Sequence, residues 1–305
     1  MAKTAVVFPG QGSQFAGMGK DFYDKYAEVR RVFDKADEVL GYSLTSIMFN
    51  GPEEELKLTF NTQPALLTMS IGIWEAVKHK INADFFAGHS LGEYSALVAA
   101  GGISFEDAVL AVHNRGKFMQ EAVPVGTGAM AAVMGADDSV IADVCKACSS
   151  SGSVVEPANF NCPGQTVVAG NVDAVNLFCE KIKEAGAKRA ILLPVSAPFH
   201  CSLMKPAADK MAAYLKNITI NSLHTPVFNN VKAEIETDAE TVYNSLVQQV
   251  SSPVLWTKSV ENMASSGVSA IIEVGAGKVL TGLVKKINKE IELKNIGVLG
   301  DEDGL

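Results

Sequence analysis

The sequence predicts an α/β fold in which one parallel sheet is assembled from two separated stretches of chain, 1–123 and 197–305, around an inserted βαββαβ unit at 124–196. Three observations lead there. Apolar strand-like runs alternate with helix-like runs in both outer stretches; a compact series of short elements lies between Gly126 and Pro194; and Gly88-His89-Ser90-Leu91-Gly92 joins a strand-like run to a helix-like one.

Thr4 to Phe8 reads as a buried first strand, followed by the glycine-rich loop Pro9-Gly10-Gln11-Gly12-Ser13-Gln14 and helical patterning from Asp21 to Leu40. Phe85-Phe86-Ala87 reads as a strand, Glu93 to Ala100 as a helix, and Phe105 to Val123 as a second helix capped by Ser104 with Asp107. In the insertion, Ala129–Met134, Val154–Ala158, Thr166–Ala169 and Ala190–Val195 are strand-like, while Asp137–Ser149 and Val172–Glu184 are helical. That order is ferredoxin-like, and Pro124, Gly126, Gly128, Pro194 and Pro198 punctuate its ends. Val227–Val231 and Ala270–Val274 add strands to the outer sheet, and the tail Gly300–Leu305 reads as a frayed end.

With 305 residues, 48% of them hydrophobic and 20% charged, the chain can bury a large core. The apolar run before Pro9 is too short for a signal peptide or a membrane span, so a cytoplasmic location is expected. A net charge of −8 disfavours nucleic acid and anionic membranes as partners. An acidic partner would need a local basic patch, such as Lys278, Lys285, Lys286 and Lys289, or Lys181, Lys183, Lys188 and Arg189. Five cysteines without framework spacing argue against a disulfide scaffold, and the Cys145/Cys148 pair reads as buried small side chains. Phe15 stands where a dinucleotide fingerprint needs its third glycine, and Gly19-Lys20 and Gly277-Lys278 both lack the rest of a phosphate-binding loop.

The strand-turn-helix setting makes Gly88–Gly92 a nucleophile elbow, with Ser90 presented at a helix N-terminus where backbone N–H groups can hold an oxyanion. Of the five histidines, His200 is the best-placed base, in the loop after the apolar run Ile191–Val195. His79 reads as a surface residue, His113 lies within a helix, His224 precedes a strand, and His89 supports the turn. Arg115 shares a helical stripe with Ala108, Val112 and Met119. A guanidinium on an apolar face must pair with an internal acid, snorkel to the surface, or accept a carboxylated substrate.

Taken together, the chain resembles the malonyl-CoA:acyl-carrier-protein transacylase family over nearly its full length. The resemblance rests on Phe8–Gln14, Gln63-Pro64-Ala65, Gly88–Leu97, Arg115, Asn161-x-Pro163-Gly164-Gln165, Phe199-His200, Gln249 and Glu273-Val274-Gly275-x-Gly277-Lys278-Val279-Leu280. It implies an α/β-hydrolase-like large domain with a ferredoxin-like insertion, and a monomer that takes malonyl-CoA and acyl carrier protein as partners without a metal or redox cofactor. By the same resemblance Ser90 is the nucleophile, His200 the base and Arg115 the grip on the malonyl carboxylate. The backbone N–H groups of Gln11 and Leu91 form the oxyanion hole, and the main-chain carbonyl of Gln249 orients His200. His89, Gln63, Phe199 and Asn161 complete the substrate site, and Phe199 leaves little room for an α-methyl group. Ala276 stands where many relatives carry proline, which bears on loop stiffness only. A serine esterase or thioesterase would use the same Ser90 and His200, and a silent carrier-docking module would not acylate Ser90 at all.

Overall fold

The computed structural model describes residues 2–195 and 197–305. Its strands are β1 (Lys3–Phe8), β2 (Phe85–Gly88), β3 (Gly128–Met134), β4 (Val155–Cys162), β5 (Gln165–Asn171), β6 (Arg189–Leu192), β7 (Val227–Phe228), β8 (Ile235–Glu236), β9 (Val268–Val274) and β10 (Glu292–Ile296). Six of them form one sheet in the order β10-β9-β1-β2-β7-β8, parallel except for the β7–β8 pairing. The other four form an antiparallel sheet in the order β4-β5-β3-β6.

β1 lies inside the large sheet and is covered on both faces, so its alternation divides the core. Val6 and Phe8 pack into a cluster with Leu66, Met69 and Ile73 of the Thr59–Val77 helix, whereas Ala5 and Val7 pack with Trp256, Val260, Leu283 and Val284 on the other side. The Thr59–Val77 helix is buried almost all round, which is why it shows no single apolar stripe. β3 divides in the same way: Ala131 and Val133 face Ile141, Cys145 and Phe178 of the helices behind the small sheet, while Met130 and Ala132 join the large cluster. The small sheet is thus packed against the large body, and a parallel bridge between Asn159 and Val254 ties the two backbones together.

Four expectations need correcting. The Asp21–Leu40 stretch is two helices, Lys20–Lys25 and Ala27–Leu40, because Tyr26 is extended and sends its hydroxyl 2.7 Å to Glu302 Oε1. For the same reason the tail is not frayed: Glu302 is 1% exposed and also accepts from Lys25 Nζ and the Gly300 N–H. The strand predicted over Val227–Val231 ends at Phe228, where Asn229 Oδ1 accepts from the Lys232 N–H and turns the chain. The helix from Phe105 stops at Glu121 rather than Val123, although its Ser104 cap forms as expected, accepting from the Asp107 N–H at 3.0 Å.

Candidate active site

β1 and β2 run side by side until Phe8 is level with Gly88, so the loop after β1 and the turn after β2 emerge together at the same end of the sheet. Glycine is required at this junction. A Cβ on Gly88 would lie 1.9 Å from the Gly92 carbonyl carbon, one on Gly92 would lie 2.1 Å from Phe8 O, and one on Gly10 would lie 2.4 Å from His89 O. Close backbone approach forces Ser90 into the left-handed region, at φ 53°, and the Gly92–Ala99 helix starts immediately after it.

Ser90 Oγ lies 2.7 Å from His200 Nε2, and His200 Nδ1 lies 2.9 Å from the main-chain oxygen of Gln249. A carbonyl oxygen only accepts, so Nδ1 carries the proton and Nε2 presents its lone pair to the serine hydroxyl. His200 is 4% exposed; burial first, and then the nearby Arg115 charge, push its pKa down to about 3, which keeps the ring neutral. His200 is itself at φ 61°, in a loop anchored where Ser202 donates through its N–H and its hydroxyl to Glu156 on β4.

Arg115 is 1% exposed on the Phe105–Glu121 helix and finds no ion pair among the described residues. Its Nη1 donates to Gln63 Oε1 at 2.8 Å, and its Nη2 donates to Gln249 Oε1 at 2.8 Å and to Ser90 Oγ at 3.2 Å. The guanidinium lies 5.8 Å from the Tyr94 ring, and its Nε is buried without a hydrogen-bond partner. Helix packing brings Arg115 and Gln63 together. Pro64 has no N–H to give Phe60 O, so that oxygen is free to meet His113 Nδ1 at 2.8 Å, while Gly116 lets the two helices close at Phe60. His113, within its helix as expected, is therefore spent on the contact with Phe60, and His79 is exposed as expected.

His89 turns toward the small sheet, with Nε2 2.8 Å from Asn161 Oδ1 on β4 and its ring tilted 5.8 Å from that of Trp256. Phe199 is buried beside His200. Gln11 is exposed, its side chain donating to Thr59 Oγ1 at 3.4 Å, and the loop around it is folded by bonds from Ser13 Oγ to Gly10 O and from the Gly12 N–H to Gln14 Oε1. The Glu273–Leu280 motif supports that loop rather than the reacting groups: Gly275 lies against Pro9 and Gly277 against Ser13, while Glu273 accepts from the Leu280 and Thr281 N–H groups and the Thr281 hydroxyl, capping the Val279–Ile287 helix. Among the described residues no cluster of His, Cys, Asp and Glu is arranged to hold a metal ion.

A neutral imidazole aimed at a serine hydroxyl, with a buried cation on the same oxygen, can make and break esters of an anionic acyl group. The comparisons agree with that chemistry. Residues 5–302 match the acyl transferase domain family. The chain is 54% identical over 290 residues to the malonyl CoA-acyl carrier protein transacylase of Escherichia coli K12, covering 94% of this chain and 93% of that one. It superimposes on a crystal structure of an acyl carrier protein S-malonyltransferase from Vibrio cholerae with a TM-score of 0.97 at 50% identity, covering 99% of each chain. A malonyl-transacylase in complex with its type II PKS acyl-carrier protein gives 0.96 at 47% identity, with 99% of this chain and 98% of that one covered.

The chain belongs to the malonyl-CoA:acyl-carrier-protein transacylase family.

Two residues near the serine of this transacylase-family chain escaped the sequence reading. Asn230 accepts from the Ser90 N–H through Oδ1 at 2.6 Å and donates through Nδ2 to Gly88 O at 2.7 Å, and Glu93 Oε2 accepts from the Asn230 N–H at 2.7 Å. Glu93 is fully buried; burial, and then the charge of Glu236, push its pKa up to about 8. Glu93 sits inside the recognised motif, but an asparagine just past a strand reads as a turn residue, and nothing local assigns it to the elbow.

Proposed function

We propose that this chain transfers the malonyl group of malonyl-CoA to the phosphopantetheine thiol of acyl carrier protein through a malonyl ester on Ser90. The observation that carries the proposal is Arg115: a guanidinium sealed in the protein, bonded through Nη2 to the Ser90 hydroxyl, whose remaining hydrogen bonds go to the neutral amides of Gln63 and Gln249 rather than to an acid. An incoming carboxylate supplies the missing charge and a forked pair of acceptors.

Ser90 Oγ attacks the thioester carbon while His200 Nε2 takes its proton. The oxyanion is received by the backbone N–H groups of Leu91 and Gln11, to which no hydrogen bond within the described residues is assigned. Collapse of the tetrahedral intermediate breaks the carbon–sulfur bond, and His200 returns its proton to the departing CoA sulfur. The carrier thiol then attacks the ester with the same histidine as base, and Ser90 recovers its proton. The Gln249 carbonyl holds the His200 tautomer, the Gln249 and Gln63 amides hold Arg115, and Phe199 disfavours an α-methyl group by about 1–3 kcal/mol.

In this reading 1–123 and 197–305 form an α/β-hydrolase-like catalytic domain, and 124–196 forms a ferredoxin-like subdomain that contributes Asn161. The strand order β4-β5-β3-β6 supports that division. The carrier docks along the open groove of about 430 Å³ lined by Lys278, Lys285 and Lys289. No helix among the described residues is long and apolar enough to cross a membrane, and the cytoplasm is the proposed location.

Arg115→Ala tests the proposal. Mass spectrometry of the enzyme mixed with malonyl-CoA should show malonyl-Ser90 in the unmodified chain and loading about a hundredfold slower in the variant, while slow loading from acetyl-CoA is retained or improved. Equal loss for both acyl groups, or rapid release of free malonate without a lasting adduct, would count against a carboxylate-selecting transferase.

A further inference from the structure

We infer that Asn230 is a positioning residue for the reaction at Ser90, fixing the elbow so that the Ser90 amide is occupied and the next one, Leu91, is left for the substrate oxygen; this rests on the acyl-transfer reading above. Asn230 lies two residues beyond β7, is 1% exposed, and has each of its polar groups engaged. Its side chain spans the turn as an adapter, receiving the Ser90 N–H on one atom and holding Gly88 O with the other. Its own N–H is held by Glu93 on the helix that follows the turn, and its carbonyl oxygen accepts from the Leu255 N–H at 2.9 Å.

The asparagine amide suits this task for a reason of inventory. Ser90 in the left-handed region has an N–H that the Gly92–Ala99 helix cannot satisfy, and Gly88 has a carbonyl that needs a donor. One carboxamide supplies both an acceptor and a donor, which neither a hydroxyl nor an ionised carboxylate can do in that span. A second clamp acts from the opposite side, where Gln249 Nε2 donates to Ser90 O at 3.0 Å. The peptide units on either side of the Ser90 Cα are therefore each pinned by a different buried amide, and the residual freedom of the hydroxyl is rotation about χ1 between His200 and Arg115.

Asn230→Asp and Asn230→Ala separate positioning from simple stability. An ionised aspartate still accepts from the Ser90 N–H but turns an oxygen toward Gly88 O; when protonated, it regains a donor. The charged and titratable groups around this spot are His89 in the turn itself, Glu93 on the elbow helix, Glu236 on β8, Arg115 on its helix and His200 in its loop. All five are present in the unmodified chain, so the rate of Ser90 malonylation is read as the ratio of variant to unmodified enzyme at each pH. The expected result is a loss of about a hundredfold in kcat for Asn230→Ala with KM for malonyl-CoA changed less than about threefold. For Asn230→Asp, the ratio should rise at least about tenfold between pH 8 and pH 5.5 as the carboxyl protonates.

Flat ratios for Asn230→Asp, or loading by Asn230→Ala within about threefold of the unmodified rate, would overturn the inference. If Asn230→Ala fails to fold, as judged by circular dichroism, the isosteric Asn230→Asp decides alone through its pH ratio. Failure of the acyl-transfer reading itself looks different, since the unmodified chain would then form no malonyl-Ser90 at any pH.

Discussion

Ser90 and His200 touch each other, and both are non-glycine residues held at positive φ, 53° and 61°, yet the chain constrains them by opposite means. The serine's turn is shaped by backbone contact: Gly88 and Gly92 within the pentapeptide, and Gly10 on the loop after β1, let main chains meet where no Cβ fits, and the Asn230 and Gln249 amides pin the finished turn. The histidine is held from far away. Its ring is fixed by Gln249, the following Ser202 by Glu156 on β4, and the preceding Pro198 rings against Gly128, where a Cβ would meet the proline at 2.4 Å. Each left-handed residue costs about 1–2 kcal/mol, so each needs such over-determination. The strain of the nucleophile can be written in the glycines of a pentapeptide, but the amides that pin it and the base that serves it must be supplied by the tertiary fold.

The sharpest way to break the local half is Gly88→Ala. A methyl group 1.9 Å from the Gly92 carbonyl carbon has backbone, not a flexible side chain, to displace, and β2 is buried along its length. We expect a loss above about 4 kcal/mol, read as insoluble protein or a much reduced urea midpoint. A variant that folds and loads malonyl normally would show that the elbow is not backbone-limited.

The next largest effect belongs to His200→Ala, which should keep the fold and slow Ser90 acylation by about 10²–10⁴. The unmodified enzyme should also show no acid limb near pH 6.5 in its acylation rate, because His200 accepts a proton only at about 3. The sign for stability follows from the same shift. An unfolded His200 binds its proton below the ordinary histidine value of 6.5 and the folded one only near 3, so its contribution is present above 6.5 and is lost as pH falls through that window. The urea midpoint of the unmodified chain should therefore fall more between pH 7 and pH 5 than that of His200→Ala.

The same contrast explains what was legible in advance. The elbow, the β1 loop and the insertion's element order depend on short-range signals, such as glycines at fixed offsets and periods of two and near four, and they could be read directly. His200 could be nominated from its loop, but the tautomer that points Nε2 at Ser90 comes from a Gln249 carbonyl, and a carbonyl is present at every residue. Arg115 illustrates the intermediate case: its apolar stripe marked it as a residue needing a partner, while the choice among an internal acid, snorkelling to the surface and an open carboxylate site needed its burial and the neutral partners Gln63 and Gln249 to be seen. Asn230 and the Tyr26–Glu302 bond were illegible, because each acts across more than a hundred residues through a side chain that also suits a surface turn or tail.

If distance is what makes the His200 loop fragile, the mildest useful perturbation lies outside the site altogether. Glu156→Ala removes both acceptors that hold Ser202, two residues beyond the base, while leaving Ser90, His200, Gln249 and Arg115 untouched. Those bonds are exposed to solvent, so water replaces much of what is lost and the fold should survive intact. What changes is the fraction of time for which the imidazole sits on the hydroxyl, and a drop of about fivefold in kcat with little change in KM for malonyl-CoA is expected. Glu156→Gln, which keeps an acceptor for the Ser202 N–H, should recover part of that loss. An unchanged kcat in Glu156→Ala would mean that Gln249 alone suffices to hold the base, and the contrast between a locally and a remotely held residue would then reduce to one hydrogen bond.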